Sequence, residues 1–543
     1  MDVGANLAEV FGPEISFPNV VLASLAIVVL LVAILGLKWS APRGGALAWL
    51  IAGAIALVFF GADVKILAIA SAKGLSLSVF VLAIIWSAVL LYNVMHHLGG
   101  VSVIGATMTR LVGDPLTQAL VVGWAFSGFM QGIAGFGVPV AIVTPLLVLM
   151  GFSPVKAVAI VLVGHAWSVT FGSLGSSYYT IQLVTGIDGG IIGPHMALMF
   201  SVPIILTGFA VAHLQGGIAS IKRGGFAIVI MGGAMSFGVW ATAYLGVAQI
   251  GSIIPGLIGC ILGFILSRLR ILPNNPTGIM EPTNDSEKSV ELHKFVPLKF
   301  HMAFLPYYLL ILFSLLSQLP QIISVTDGWE WGLDYPAMET SLGFITDAQP
   351  NYARIRFLRH PAPLILLSLI VSYTLYVIFH RIKLKPILMA CRATYFQSIS
   401  SSVGIITMVM MAIVMTDTGM TALLGKTIAM GTELTFPVFS PYIGLLGTFM
   451  TGSNTNSNVM FGALQLETAN ALGIGAVTIA SAQSIGGSLG SAIAPAKVLV
   501  GTTIAGLMGR ENEVLRRTIP YCLGIVFFVG IETLVLIHLF STR

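Results

Sequence analysis

The chain has 543 residues, of which 56% are hydrophobic and only 9% charged, whereas a soluble domain carries roughly 25% charged residues. With a mean hydropathy of +0.96, this composition excludes an assembly of soluble domains and reads as one polytopic membrane unit. At about 20 apolar residues per helical span, the length accommodates roughly 14–16 membrane segments. The net charge of +5 is spread over short loops between apolar runs, which excludes a nucleic-acid surface and leaves the lipid bilayer as the partner the charge pattern describes.

The first apolar run, 20–37, follows Asp2, Glu9 and Glu14 and precedes Lys38 and Arg43. A cleavable signal carries its positive charge ahead of the apolar core, so this run reads as a retained span with the N-terminus outside. Apolar runs at 44–60 and 75–95 complete an N-terminal unit, 1–110. The unit 111–267 follows, with a span near 115–131, a glycine-rich break at 131–137, a short apolar run near 138–150, and spans near 153–171, 190–212, 225–248 and 251–267. The basic, proline-containing stretch 268–299 reads as a cytoplasmic loop. Central spans occupy 300–392, with a long polar loop at 321–359 placed outside, although Arg354, Arg356 and Arg359 oppose that placement. A further span near 397–416 opens the unit 393–509. Arg510, Arg516 and Arg517 mark the inner end of a last span within 510–543, so the C-terminus is expected outside.

The stretch 449–458, FMTGSNTNSN, is the most unusual in the chain: after its first two residues every side chain is a small polar one or glycine, yet apolar runs flank it. Inside a bilayer such backbone survives only where protein buries it or where it lines a watery cavity. It has a counterpart. Phe129-Met130-Gln131-Gly132 matches Phe449-Met450-Thr451-Gly452, and further on Gly172-Ser173-Leu174-Gly175-Ser176 matches Gly487-Ser488-Leu489-Gly490-Ser491 at nearly the same offset. The expected fold is therefore all-α and polytopic, with re-entrant hairpins or broken helices in two repeats, most simply an inverted pair. Interrupted helices at matching positions point to a transporter site near the midplane.

At the second break, Gly452, Ser453, Asn454 and Thr455 offer neutral donors and acceptors; at the first, Gln131, Gly132 and Gly135 offer side-chain and backbone amides with close approach. Helix N-termini meeting there would hold a small carboxylate; the competing reading is close helix packing through small residues. Ser173 and Ser488, from the two GSLGS copies, join the expected substrate-binding set. Three ionisable residues lie in apolar surroundings. Asp417 is a proton carrier or a helix-end cap. His165 is a proton handler or a hydrogen-bonded interface residue. Lys497 neutralises a substrate carboxylate or snorkels to the interface.

Cys260, Cys391 and Cys522 have no metal-ligand spacing. The chain contains no HExxH or Walker motif, so neither an enzyme nor an ATP-driven pump is expected, and no cofactor or metal is called for.

Four stretches, GFMQGIAGFGVPVAIVTPLLVLMGF, VGHAWSVTFGSLGSSYYT, GTFMTGSNTNSNVMFGALQ and SIGGSLGSAIAPAKVLVGTTIAGLMGRENEVLRRT, carry a likeness that extends over nearly the whole chain: it resembles the lactate permease family of proton-coupled monocarboxylate symporters. The resemblance implies uptake of L-lactate, and of D-lactate or glycolate, with a proton across the cell membrane. It also implies a relation to a wider transporter superfamily that pairs two hairpins around an anion, with Ser453-Asn454-Thr455 as one tip, and by that analogy an elevator-like motion and a homodimer. Lys497, Asp417 and His165 depart from the residues expected of the family, which leaves the proton route and substrate range open. Sodium coupling is the alternative, since unwound carbonyls and Ser/Asn/Thr tips also suit that ion.

Overall fold

The computed structural model describes residues 14–109, 113–135, 137–272, 298–326, 328–380 and 385–540, without the side chains of 108, 109, 380 and 540. Most of the expected cytoplasmic loop 268–299 lies outside the described residues, as do Asp2, Glu9, Arg110, Phe136 of the first break, Asp327, Arg381 and Lys383.

Among the described residues ten helices are long and apolar enough to cross a membrane, or eleven if the pair Phe300–Leu316 and Pro320–Thr326, bent by 80°, forms one span. The first, Phe17–Leu31, starts where the Ser16 hydroxyl accepts the Asn19 N–H at 3.4 Å, which satisfies one of the unpaired donors of the first turn. The helix Val64–His97 is longer than the apolar run 75–95, because it continues back through Lys73 to Asp63, whose Oδ1 caps the Ile66 N–H at 2.7 Å. Helix Lys385–Asp417 likewise begins well before its apolar run.

These two long helices pack against each other, and Lys385–Asp417 also packs on Ala41–Phe59. Small residues set the spacing: a Cβ on Gly74 would lie 2.7 Å from Met410 Cα, so the backbones touch there. Polar pairs fix the register, with Trp86 Nε1 donating to Ser402 Oγ at 2.9 Å and Asn93 Nδ2 donating to Thr394 Oγ1 and Gln397 Oε1, each at 3.0 Å. Helix Ser201–Tyr244 has 44 residues, about twice what a bilayer requires at 1.5 Å per residue. It is broken at Gly216 (φ −155°, ψ 28°) and Gly217 (φ 67°, ψ −153°), between the two spans expected there.

The polar loop 321–359 adds β-structure to an otherwise helical chain. Strand Glu330–Tyr335 pairs antiparallel with Gln349–Arg356, and Met338–Glu339 with Ile345–Thr346. The hairpin is tied to the helices beneath it. Ser76 Oγ and the Tyr335 hydroxyl are 2.7 Å apart, the Ser341 N–H donates to Gly61 O at 2.8 Å, and Thr346 Oγ1 donates to Asp417 O at 3.3 Å.

Candidate functional site

Both breaks expected from the sequence are present. Helix Ser127–Ile133 stops at an extended Ala134, and Val138–Leu149 restarts after Gly137 at φ 84°, a left-handed angle that glycine adopts without steric penalty. Helix Phe436–Thr451 stops at Gly452, φ 72°, and Asn454–Leu472 starts at Ser453, whose hydroxyl accepts the Asn456 N–H at 3.3 Å. Gly452 ends its helix by turning the chain out of the helical path, Gly137 redirects the chain into the helix that follows it, and the second break restarts on a serine cap.

At the first break the Gln131 side chain is buried and its Oε1 has no partner. A Cβ on Gly135 would lie 2.0 Å from Ser173 Oγ and 3.4 Å from Gln131 Nε2, so Gln131, Gly135 and Ser173 form one small polar cluster. Gly132 faces elsewhere. A Cβ there would lie 2.8 Å from Ile253 N, so Gly132 serves helix packing, the competing reading of that position.

The two GSLGS copies differ in conformation. In the first, Ser173 (φ 48°), Leu174 (φ 54°) and Gly175 (φ 80°) are consecutively left-handed, opening helix Ser176–Thr185. For the two non-glycine residues this costs about 1–3 kcal/mol each, a strain that surrounding structure must hold in place. In the second, the same residues form the last turn of Ala476–Gly490. Ser488 Oγ accepts from Val169 N–H at 3.1 Å and Thr170 N–H at 3.3 Å, and donates to Ala166 O at 2.6 Å. Its one donor and two lone pairs are then all engaged. Ser488 therefore holds in place the 3-10 turn Ala166–Ser168 and the two residues after it, and has no bonding capacity left for a ligand.

The second break reaches across to the same stretch. Asn454 Nδ2 donates to Thr170 Oγ1 at 2.9 Å and Ser484 O at 3.1 Å. Asn458 Nδ2 donates to Ser177 O at 2.9 Å and Ser484 Oγ at 3.0 Å, and Thr455 Oγ1 lies 3.0 Å from Ser177 Oγ. With both amide hydrogens of Asn454 bonded, its Oδ1 is left buried without a partner, as are Asn456 Oδ1, Asn458 Oδ1 and Thr448 Oγ1. Buried polar atoms are nearly always paired, so a cluster of unpaired ones marks a place built for something besides packing. Asn454 Oδ1 and Thr448 Oγ1 flank Gly487, where a Cβ would lie 2.0 Å and 3.1 Å from them. Gly487→Ala is accordingly expected to displace the Asn454 carboxamide and lower transport at least tenfold. Gly524→Ala, where a Cβ meets nothing within 4 Å, should leave it unchanged. Initial uptake rates of the two purified variants in proteoliposomes check this.

Helix Pro495–Ile504 walls both breaks. Its Ala496 Cβ would be 3.4 Å from a Cβ on Gly452, and Val500 side-chain atoms 3.7 Å from one on Gly137. In its first turn sits Lys497, 6% exposed, with no salt bridge or side-chain hydrogen bond among the described residues. His165 is fully buried. Its Nδ1 lies 2.6 Å from Val161 O, and its Nε2 has no hydrogen-bond partner among the described residues. A buried ammonium without a counter-charge is destabilising by several kcal/mol, so this place favours an anion.

Asp417 lies apart from this cluster, at the end of its helix. Its carboxylate accepts from Lys73 Nζ at 2.8 and 2.7 Å, with both residues buried. Lys73 is also 5.5 Å from the centre of the Tyr352 ring in the hairpin. Lys73 was not among the residues singled out by sequence reasoning. A lone lysine within an apolar run, with a lone aspartate in another, was the available signal.

A family model described as L-lactate permease matches residues 19–540. The L-lactate permease of Escherichia coli (strain K12) is 26% identical over 531 residues, covering 94% of each chain. The glycolate permease GlcA of the same strain is 26% identical over 96% of each chain. The L-lactate permease of Bacillus subtilis (strain 168) is 27% identical over 84% of this chain and 85% of its own. Among solved structures, Neisseria gonorrhoeae MtrF superposes with a TM-score of 0.46 at 14% identity over 96% of this chain and 95% of its own. The sequence relatives are permeases, not enzymes. With its family model spanning nearly the whole chain, the protein belongs to the L-lactate permease family.

Proposed function

We propose that the protein carries L-lactate and related small 2-hydroxymonocarboxylates, D-lactate and glycolate among them, across the cell membrane together with a proton. The observation that carries this reading is the buried Lys497 side chain, which has no acidic partner among the described residues, beside two helix breaks. A 2-hydroxy acid presents one negative charge and one hydroxyl donor. Lys497 supplies the opposite charge, and the unpartnered Asn454 Oδ1 and Gln131 Oε1 are acceptors suited to the hydroxyl. The names of relatives agree, since lactate and glycolate share the 2-hydroxycarboxylate group. His165, fully buried with an Nε2 that has no partner among the described residues, is the first candidate for the proton, and Asp417 the second. A proton bound at either position cancels the anion's charge during the move. In this proposal the units 111–267 and 393–509 are two inverted repeats whose tips enclose the substrate, in a chain that pairs as a homodimer with both termini outside.

Sodium coupling is the second reading. It draws on the neutral oxygens Asn454 Oδ1 and Thr448 Oγ1, unpartnered among the described residues and both beside Gly487, oxygens of the type hard cations take.

Counterflow of labelled L-lactate in proteoliposomes separates the two. Stimulation by an inward proton gradient, unchanged when choline replaces sodium, is the expected result. No stimulation defeats proton coupling, and loss in choline establishes sodium. Ser453→Ala and Asn454→Ala should each weaken apparent affinity about tenfold, the scale of one hydrogen bond to a charged ligand. The Ser453 variant should also lose about 1 kcal/mol of stability with its cap. Wild-type affinity in both would remove the site assignment.

A further inference from the structure

A cavity of about 460 Å³ lies between the hairpin and the helices Ser176–Thr185 and Val64–His97, lined among others by Arg354, Arg356, Arg359, Gln182, Tyr179 and His360. We propose that this cavity is an outer carboxylate-binding site, in which Arg359 captures the anion before it passes Tyr179 toward the Ser173 turn. The inference rests on the reading of the protein as a carboxylate carrier.

The charge balance favours an anion. Arg354 and Arg356 share one carboxylate, that of Glu330, at 3.1 and 3.5 Å. Asp188, also on the wall, is engaged as a helix cap, with Oδ1 accepting the Gly190 N–H at 2.8 Å. Arg359 has no acidic partner among the described residues. Three guanidiniums thus face two carboxylates, and the unpaired one is half-buried where solvent competes less. His360 adds no charge. Its Nε2 is 3.2 Å from Phe80 O and its Nδ1 accepts the Ala362 N–H at 3.2 Å, which defines a neutral ring. A guanidinium binds a carboxylate through two parallel N–H donors.

The cavity also leads to the breaks. Tyr179 lies one helical turn from the left-handed Ser173–Gly175 segment, and a Cβ on Gly175 would be 3.0 Å from Tyr179 Cε2. The Tyr179 hydroxyl donates to Gln249 Oε1 at 2.8 Å. Gln249 is 1% exposed and its Nε2, a donor, has no partner. The Tyr179–Gln249 pair therefore stands between the arginine cavity and the polar cluster, with a spare donor for an anion moving past it.

The test uses the full chain. Cys391 is the exposed cysteine among the three, with Cys260 and Cys522 buried, so Gln182→Cys is made in a Cys391→Ser background, and in detergent its modification by anionic and cationic methanethiosulfonates is timed. Field focusing in a charged cleft should make the anionic reagent faster by about tenfold relative to the cationic one. The ratio should fall toward one when Arg359→Gln is added, and L-lactate should slow modification saturably where equal sodium chloride does not. In proteoliposomes Arg359→Gln should raise the KM for uptake severalfold with kcat unchanged. A ratio indifferent to Arg359, or no protection by L-lactate in a protein that transports it, overturns the capture site and leaves the transport reading standing. Absence of L-lactate transport by the parent protein defeats that reading instead, and the Arg359 dependence of the labelling ratio then decides alone whether the cavity binds anions.

Discussion

Lys497→Gln is expected to lower kcat/KM for L-lactate about a hundredfold while leaving the purified protein as stable as the parent, or more so. The two effects have opposite origins. In the ligand-free protein Lys497 is buried with no acidic partner among the described residues, and glutamine removes the penalty for charging a desolvated amine at similar side-chain length. In the complex the same change leaves a buried carboxylate facing a neutral amide, and loss of one partner of a desolvated charge pair costs about 2–5 kcal/mol. Initial-rate uptake and thermal melting of the same preparation measure both. A variant that melts lower but transports normally would assign Lys497 to structure, as a lysine snorkelling to the interface would be.

Asp417→Asn is expected to destabilise the protein by about 3–5 kcal/mol, because it leaves the Lys73 ammonium buried beside a neutral side chain. Lys73→Met should do the same by stranding the carboxylate. The double variant should recover most of the loss, since the pair in which Nζ and the carboxylate lie 2.7 Å apart is then replaced by two neutral side chains. That non-additivity is the signature of direct coupling. The double variant also bears on the proton route. If it is stable and its uptake still responds to a proton gradient, Asp417 is a structural partner of Lys73 and His165 remains the candidate carrier. If the response is lost while exchange persists, Asp417 carries the proton. Independent, additive losses in the two single variants would show that the helices Val64–His97 and Lys385–Asp417 are not held by this pair.

The membrane class, the two helix breaks and the polar character of the site were legible in the chain itself. Apolar runs interrupted by QGIAGFG and FMTGSNTNSN report directly on where backbone cannot face lipid, and Gly137 and Gly452 do adopt left-handed angles, the one at the start of a helix and the other at the end of one. Lys497 was legible as an ionisable residue in an apolar setting. Its lack of an acidic partner among the described residues was not, because that depends on every element packed around it. The start of Val64–His97 was obscured by Lys73, which breaks the apolar run that marks a span. The hairpin between Glu330 and Arg356 was hidden because it is polar and short.

Residues near one another in the chain determined where helices break and what kind of solvent surrounds them, since those features follow from local polarity and backbone freedom. Only the tertiary structure decided how each polar group is used. Asp417 meets Lys73 from 344 residues away, and identical GSLGS segments become a left-handed turn in one place and a helix end in the other. Ser488 is saturated by distant backbone while Asn454 keeps a free oxygen. A buried donor or acceptor is defined by its partner, and partners distant in sequence are brought together only by packing.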